Sequence, residues 1–242
     1  MKPRQGTLFL FHGAGGDSRY LGRLAKFLAQ KSRWRVVTPD WRGHGPKALE
    51  QNFVDLSEFQ LLADVESLIL HWRQRGDLGD LILAGHSLGG GFVLKESQSP
   101  RISGVLAHWA LAPFWGLHQI ADGRAFVQER DEIVIRWAEK VNESLGGQNP
   151  VGRLRTRYPI EFFKACSVAL ENGELIPTSL TEGTHLSLAD QENLLTNRLD
   201  HWDESGDRAR QRIAVHRVAT SHFGIAMDPQ IFPRHLEVLN AK

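Results

Sequence analysis

The stretch Leu81-Ile82-Leu83-Ala84-Gly85-His86-Ser87-Leu88-Gly89-Gly90-Gly91 decides the fold. Its first four residues are an apolar run of the kind that ends a buried strand. Gly85 to Gly89 then fits G-x-S-x-G, and Gly90-Gly91-Phe92-Val93-Leu94 opens a helix. The spacing carries a steric demand. A serine on a sharp strand-to-helix turn holds strained dihedrals, and its neighbours two before and two after must lack bulk. The turn lifts the hydroxyl clear of the sheet, and the helix that follows aims its free N–H groups at the same spot. Ser87 is the candidate nucleophile.

Upstream, Thr7–Phe11 is a short apolar run that breaks into His12-Gly13-Ala14-Gly15-Gly16. Asp17 or Ser18 then caps a helix whose face carries Tyr20, Leu21, Leu24, Phe27 and Leu28. The loop lacks the Gly-Lys-Ser/Thr of a phosphate-binding P-loop, and Ser18 stands where G-x-G-x-x-G needs its third glycine. It reads better as an oxyanion loop, in which the Ala14 N–H points at a developing negative oxygen opposite the N–H of Leu88. His12 reads as a structural residue that bonds backbone within that loop. Trp34–Thr38 is a β-branched strand, followed by Pro39-Asp40-Trp41-Arg42-Gly43-His44-Gly45-Pro46, which is turn chemistry. Asp40 and Arg42 read as braces of this loop. Apolar positions 61, 62, 65, 68, 69 and 72 mark a helix over Leu56–Trp72. Strand and helix alternate three times up to this point, which predicts a parallel sheet with right-handed crossovers.

Composition excludes several classes of function. A chain of 242 residues with 41% hydrophobic content has enough material for one large core. A net charge of +1 gives no electrostatic case for nucleic acid or an anionic membrane. Cys166 is the single cysteine, so neither an internal disulfide framework nor a thiolate metal cluster is available. The apolar run at Thr7–Phe11 is too short for a signal peptide, and no stretch approaches a membrane span. The expectation is a cytoplasmic protein with no nucleic-acid or membrane partner.

The three motifs at His12–Gly16, Pro39–Gly45 and Gly85–Gly90 resemble the α/β-hydrolase family, in its order and at its usual separations. The resemblance implies the α/β-hydrolase fold, a mostly parallel central sheet flanked by helices. Ile102–Leu111 supplies a further strand, broken by Pro113. Phe114–Ala169 then stops alternating with strands and reads as two or three amphipathic helices, with a Gly/Pro/Arg-rich joint at Gly146–Pro159. An insertion at this place in a hydrolase is a lid. The implied organisation is a core of residues 1–113 and 170–242 and a helical lid insertion of 114–169.

The last strands are Leu175–Leu180 and Arg212–Val218, and a closing helix follows from Asp228-Pro229 to Leu239. A hydrolase histidine belongs on the loop after the final strand. His222, in Ser221-His222-Phe223-Gly224, sits there and is the candidate general base, with His185 as runner-up. The order serine, acid, histidine needs a carboxylate between the lid and that loop. Asp190 is the choice, Glu182 the next, and Asp200 and Asp203 lie further along; a serine–histidine pair with no matched acid is the remaining option.

Within the family, Leu180–Gly183, Leu199–Trp202, Val215–Val218 and Ser221–Gly224 are similar to thioesterases of polyketide and nonribosomal peptide biosynthesis. That likeness implies a serine hydrolase working through an acyl-enzyme, releasing an acyl chain by hydrolysis or cyclisation. Its substrate would be a small-molecule acyl ester or thioester, presented free or on a carrier protein, and the chemistry requires neither metal nor organic cofactor. The alternatives are a carboxylesterase or lipase of small esters, and a catalytically impaired hydrolase-fold binding protein.

Overall fold

Gly6–Phe11 (β1) is apolar at nearly every position because both of its faces are covered, and all six residues are buried. In the computed structural model, which describes residues 4–45, 55–98, 100–117, 126–144, 154–167, 178–183 and 213–242, β1 lies inside a six-stranded sheet. Its partners are Trp34–Val37 (β2), Asp80–His86 (β3), Val105–Leu111 (β4), Thr178–Gly183 (β8) and Ile213–Val218 (β9). The order is β2-β1-β3-β4-β8-β9, and every pairing is parallel. The register sets Phe11 against Gly85 and His86 against Leu111, so the strands carrying the two Gly-rich loops end side by side.

Alternate residues of the strands feed two separate cores. Phe9, Phe11, Leu81 and Leu83 face Glu58–Gln74 (α2), Leu88–Gln98 (α3) and the inserted segment. Leu8, Leu10, Ile82 and Trp109 face Gly22–Lys31 (α1) and the two closing helices, Gly224–Met227 (α6) and Phe232–Asn240 (α7). A sheet buried on both faces needs runs without polar alternation, and these strands have them. Among the described residues no helix is long and apolar enough to cross a membrane.

Among its described residues the inserted segment holds the helices Arg136–Ser144 (α4) and Ile160–Ala165 (α5). It also holds an antiparallel sheet of Phe126–Glu129 (β5), Glu132–Ile135 (β6) and Arg157–Pro159 (β7), where the sequence reading expects only helices. Ile133-Val134-Ile135 is a short β-branched run that suits a strand, and periodicity alone does not separate such a run from a buried helix turn. Arg130, at a φ of 55°, turns the chain between β5 and β6. Arg157 bridges Glu129 and Glu132 across the sheet.

Candidate active site

Ser87 stands between β3 and α3 with a φ of 55°, in the left-handed region that a serine seldom occupies. Backbone bonds hold it there. Its N–H donates to the Leu111 carbonyl at 3.0 Å, and its carbonyl accepts from Gly91 N at 3.0 Å and Phe114 N at 2.8 Å. The flanking glycines are required by space. A Cβ on Gly85 would lie 2.2 Å from the Gly89 backbone, and one on Gly89 would lie 2.6 Å from the Phe11 carbonyl oxygen. The steric demand read from G-x-S-x-G is therefore met by contacts between main chains, which have no freedom to yield.

Gly13 packs directly on the serine, with space for a Cβ only 2.8 Å from Ser87 Cβ. Its neighbour Ala14 lines a cavity of about 560 Å³ together with Ser87 and His222. His222 lies on the loop after β9, where the sequence reading expects it. The remaining wall is largely apolar and comes in part from the inserted segment, through Phe126, Trp137 and Leu154. Trp137 packs edge-on against Phe223, with ring centroids 5.4 Å apart, which ties α4 to the His222 loop. At the rim Asp17 and Arg19 form an ion pair. Burial pushes the Asp17 carboxyl up, but the hydrogen bonds and charge of Arg19 outweigh it and hold that group below the usual range.

The two N–H groups expected to serve an oxyanion are placed differently. Leu88 is the first residue of α3, and Ala14 sits in the middle of the Gly-rich loop. Among the described residues neither N–H meets an acceptor. Of the carboxylates named from sequence, Asp190, Asp200 and Asp203 lie outside the described residues, as does His185. The backbone of Glu182 lies in β8, opposite Arg217 of β9.

Around this cavity runs a set of buried and half-buried polar residues, most of which the sequence reading did not single out. Tyr20 bonds Gly13 N and His86, each bond under 3 Å, and His86 reaches the main-chain carbonyl of His222 at 2.8 Å. Tyr158, from β7, bonds Gly15 N and His44, both at 2.7 Å. Burial lowers the pKa of His86 to about 3 and that of His44 well below its ordinary value. His12 behaves as expected for a structural residue, bonding the Gly13 carbonyl at 2.8 Å. It lies 3.9 Å from Asp40, yet burial lowers its pKa and its Nε2 accepts the Trp41 N–H, so the imidazole is neutral and makes no ion pair. Asp40 instead accepts the Ser18 N–H, and Arg42 forks onto Asp64, which is the bracing role expected of that loop. Tyr158 offered no local signal, because its bond to Gly15 spans 143 residues of chain, whereas Tyr20, seven residues from Gly13, reads from sequence only as part of a helix face.

Residues 8–230 match the sequence profile of the alpha/beta hydrolase family. The chain belongs to that family. Over 108 residues this hydrolase is 31% identical to the probable protein phosphatase methylesterase 1 of Caenorhabditis elegans. That match covers 44% of the chain and 29% of the relative, so the chain matches under a third of the relative's length. Among solved structures, tomato methylketone synthase I complexed with 2-tridecanone has a TM-score of 0.64 at 15% identity, covering 98% of both chains. The thioesterase domain from the curacin biosynthetic pathway has a TM-score of 0.58 at 15% identity, covering 100% of this chain and 93% of its own. These likenesses establish the hydrolase fold.

Proposed function

We propose that this hydrolase cleaves carboxylic esters of apolar acyl groups through a serine acyl-enzyme. The observation that carries the reading is Ser87, held at a φ of 55° on the wall of an apolar cavity that it shares with His222. His222 takes the Ser87 proton as Oγ attacks the carbonyl carbon, and the carbonyl oxygen becomes an oxyanion. The N–H groups of Ala14 and Leu88 receive it, each worth roughly 3–4 kcal/mol in a site of this kind. The tetrahedral adduct collapses, the C–O bond to the leaving group breaks, and His222 returns the proton to the departing oxygen. Water then attacks the serine ester with His222 again as base, which releases the acid and restores Ser87. Asp190 is the carboxylate assigned to orient His222, with Glu182 next. The inserted segment serves as a lid, and its Phe126, Trp137 and Leu154 supply the apolar wall for the acyl chain.

An oxygen ester is preferred because the relative at 31% identity is a probable methylesterase. A thioester is the second reading, favoured by Ser221-His222-Phe223-Gly224 after the last strand and by the fold shared with a polyketide thioesterase domain. It extends to an acyl chain delivered on a carrier protein. Both readings use the same residues and differ in the leaving group, so acyl-matched oxygen esters and thioesters separate them by kcat/KM.

The test is labelling with a fluorophosphonate, mapped by intact mass and peptide analysis. One label per chain on Ser87, absent in Ser87→Ala and slowed at least roughly 100-fold in His222→Ala, is expected. A folded protein that takes no label at Ser87 overturns the reading and leaves a hydrolase-fold binding protein in its place.

A further inference from the structure

The chain has two tyrosines, and each hydroxyl accepts a backbone N–H from the same three-residue loop. Tyr20 takes Gly13 N–H at 2.7 Å and Tyr158 takes Gly15 N–H at 2.7 Å, one on either side of Ala14. We infer that Tyr20 and Tyr158 are positioning residues that clamp Gly13 and Gly15 so that the intervening Ala14 N–H is left to face the substrate's oxyanion. The inference rests on the proposed serine-hydrolase reading for the role of Ala14; the clamp itself is a matter of geometry.

The direction of every proton in the clamp follows from the acceptors at its ends. A carbonyl oxygen only accepts, so His86 Nε2 carries the proton that reaches the His222 carbonyl at 2.8 Å. Burial keeps the His86 imidazole neutral, so its Nδ1 is an acceptor and Tyr20 must donate to it at 2.9 Å. On the other side His44 Nδ1–H donates to the Arg42 carbonyl at 3.0 Å, which leaves Nε2 to accept the Tyr158 proton at 2.7 Å. Each tyrosine thus gives its single proton to a neutral histidine and turns a lone pair to a glycine N–H. A third histidine closes the loop from below: His12 accepts the Trp41 N–H at 3.1 Å and donates to the Gly13 carbonyl, while Trp41 Nε1 donates to the His12 carbonyl at 2.9 Å. With these groups satisfied, the loop has little freedom to turn the Ala14 N–H away.

The two arms of the clamp come from different parts of the fold. Tyr20 belongs to the 3-10 turn Ser18–Leu21 just after the loop, whereas Tyr158 is on β7 of the inserted segment. The donor geometry of the core therefore depends on the docking of that segment. Neither hydroxyl is assigned contact with the reacting atoms; their effect passes through the backbone they hold.

The experiment compares Tyr20→Phe and Tyr158→Phe in the full chain with the unaltered protein. The probes are p-nitrophenyl butyrate, an alkyl trifluoromethyl ketone that adds to Ser87 as a tetrahedral oxyanion, and the matched methyl ketone. Each variant is expected to lose kcat by roughly 10- to 100-fold with KM within about two-fold, since a misplaced donor acts on the transition state. Affinity for the trifluoromethyl ketone should fall by the same factor, with methyl ketone binding unchanged. A kcat within about two-fold of the unaltered protein in both variants, or equal loss of both ketones, overturns the clamp. Amide exchange in the unaltered chain keeps the test open where a Phe variant does not fold: Gly13 and Gly15 N–H should exchange at least roughly 100-fold more slowly than Ala14 N–H. Equal exchange at the three positions also overturns it. Absence of both turnover and Ser87 labelling in the unaltered chain defeats the hydrolase reading alone, and the exchange pattern still decides the clamp.

Discussion

His86 Nε2 donates to the main-chain carbonyl of His222 across 2.8 Å, joining the residue before Ser87 to the loop that carries the proposed base. The two imidazole rings lie 4.8 Å apart, yet they do different work. One is locked neutral in a buried network, and the other lines the cavity that Ser87 also lines. A shift of the His222 loop would therefore be felt at Tyr20 and Gly13, on the far side of the nucleophile.

That locked neutrality gives stability a sign with pH. Burial brings His86 down to about 3 and both His108 and His235 down to about 4. In the unfolded chain each takes up its proton near pH ~6.5. Between these values the unfolded state binds more protons than the native one, so stability falls as pH falls, by about 1.4 kcal/mol per pH unit for each histidine. Glu96, raised by burial, acts in the opposite sense, but it is one group against six histidines, since burial lowers His12, His44 and His216 as well. The urea midpoint should be steady above pH ~7 and drop progressively from about pH 6 to about pH 4. A flat midpoint across that range contradicts neutral burial of these rings.

Two glycine substitutions should move stability in opposite directions. A Cβ on Gly89 meets the carbonyl oxygens of Phe11 at 2.6 Å and His12 at 2.7 Å, main-chain atoms at the end of β1 and the start of the loop after it. Gly89→Ala should cost about 3 kcal/mol and lower Tm by roughly 6–12 °C. Gly22 has a φ of −58°, it opens α1, and a methyl placed on its Cα would meet nothing within 4 Å. Gly22→Ala should stabilise by about 0.5–1 kcal/mol. Thermal melts of the two variants check both signs, and a neutral Gly89→Ala would mean that the two Gly-rich loops separate more easily than their contacts imply.

The core of the fold was legible because parallel strands buried on both faces leave continuous apolar runs at Thr7–Phe11 and Leu81–Ala84. Ser87 was legible because its strained turn restricts its neighbours to glycine. Of the run Leu175–Leu180, positions 178–180 lie in β8 and positions 175–177 lie outside the described residues, while β8 continues through Thr181 and Glu182, which give no apolar signal, to Gly183. The sheet inside the insertion was hidden by the ambiguity of the short run Ile133–Ile135. Tyr158 was invisible for a different reason: a hydroxyl that meets a glycine N–H 143 residues away leaves no pattern in the local sequence, and Tyr20 was legible only as part of an apolar helix face.

Trp137 should set the length of acyl chain accepted. It reaches from α4 into the cavity wall and packs on Phe223 beside His222. Trp137→Ala enlarges the apolar space without touching Ser87, so longer chains gain burial while short ones lose contact. Across p-nitrophenyl esters from acetate to decanoate, the ratio of kcat/KM for long over short chains should rise roughly 10-fold, about the worth of one or two methylenes. A ratio that does not change would place the acyl chain elsewhere in the cavity.

The carboxylate behind His222 is open to a direct comparison of two neutral variants. Asp190 follows the lid and precedes the last strand, as the order serine, acid, histidine requires, and Glu182, near the end of β8, is the alternative closer to the strand end. A carboxylate in that role holds the imidazole in the tautomer that accepts the serine proton and steadies the cation that forms. Replacing it with its amide keeps the shape but removes the charge and presents a donor to the ring nitrogen that should itself donate. Asp190→Asn should therefore lower kcat by roughly 10³- to 10⁴-fold with KM little altered, and Glu182→Gln by less than about three-fold. The fluorophosphonate labelling rate should fall in parallel, since it reads the nucleophilicity of Ser87 without any leaving-group step of the substrate. The reverse ranking would transfer the role to Glu182. Full activity in both variants would mean that His222 acts on Ser87 without either carboxylate.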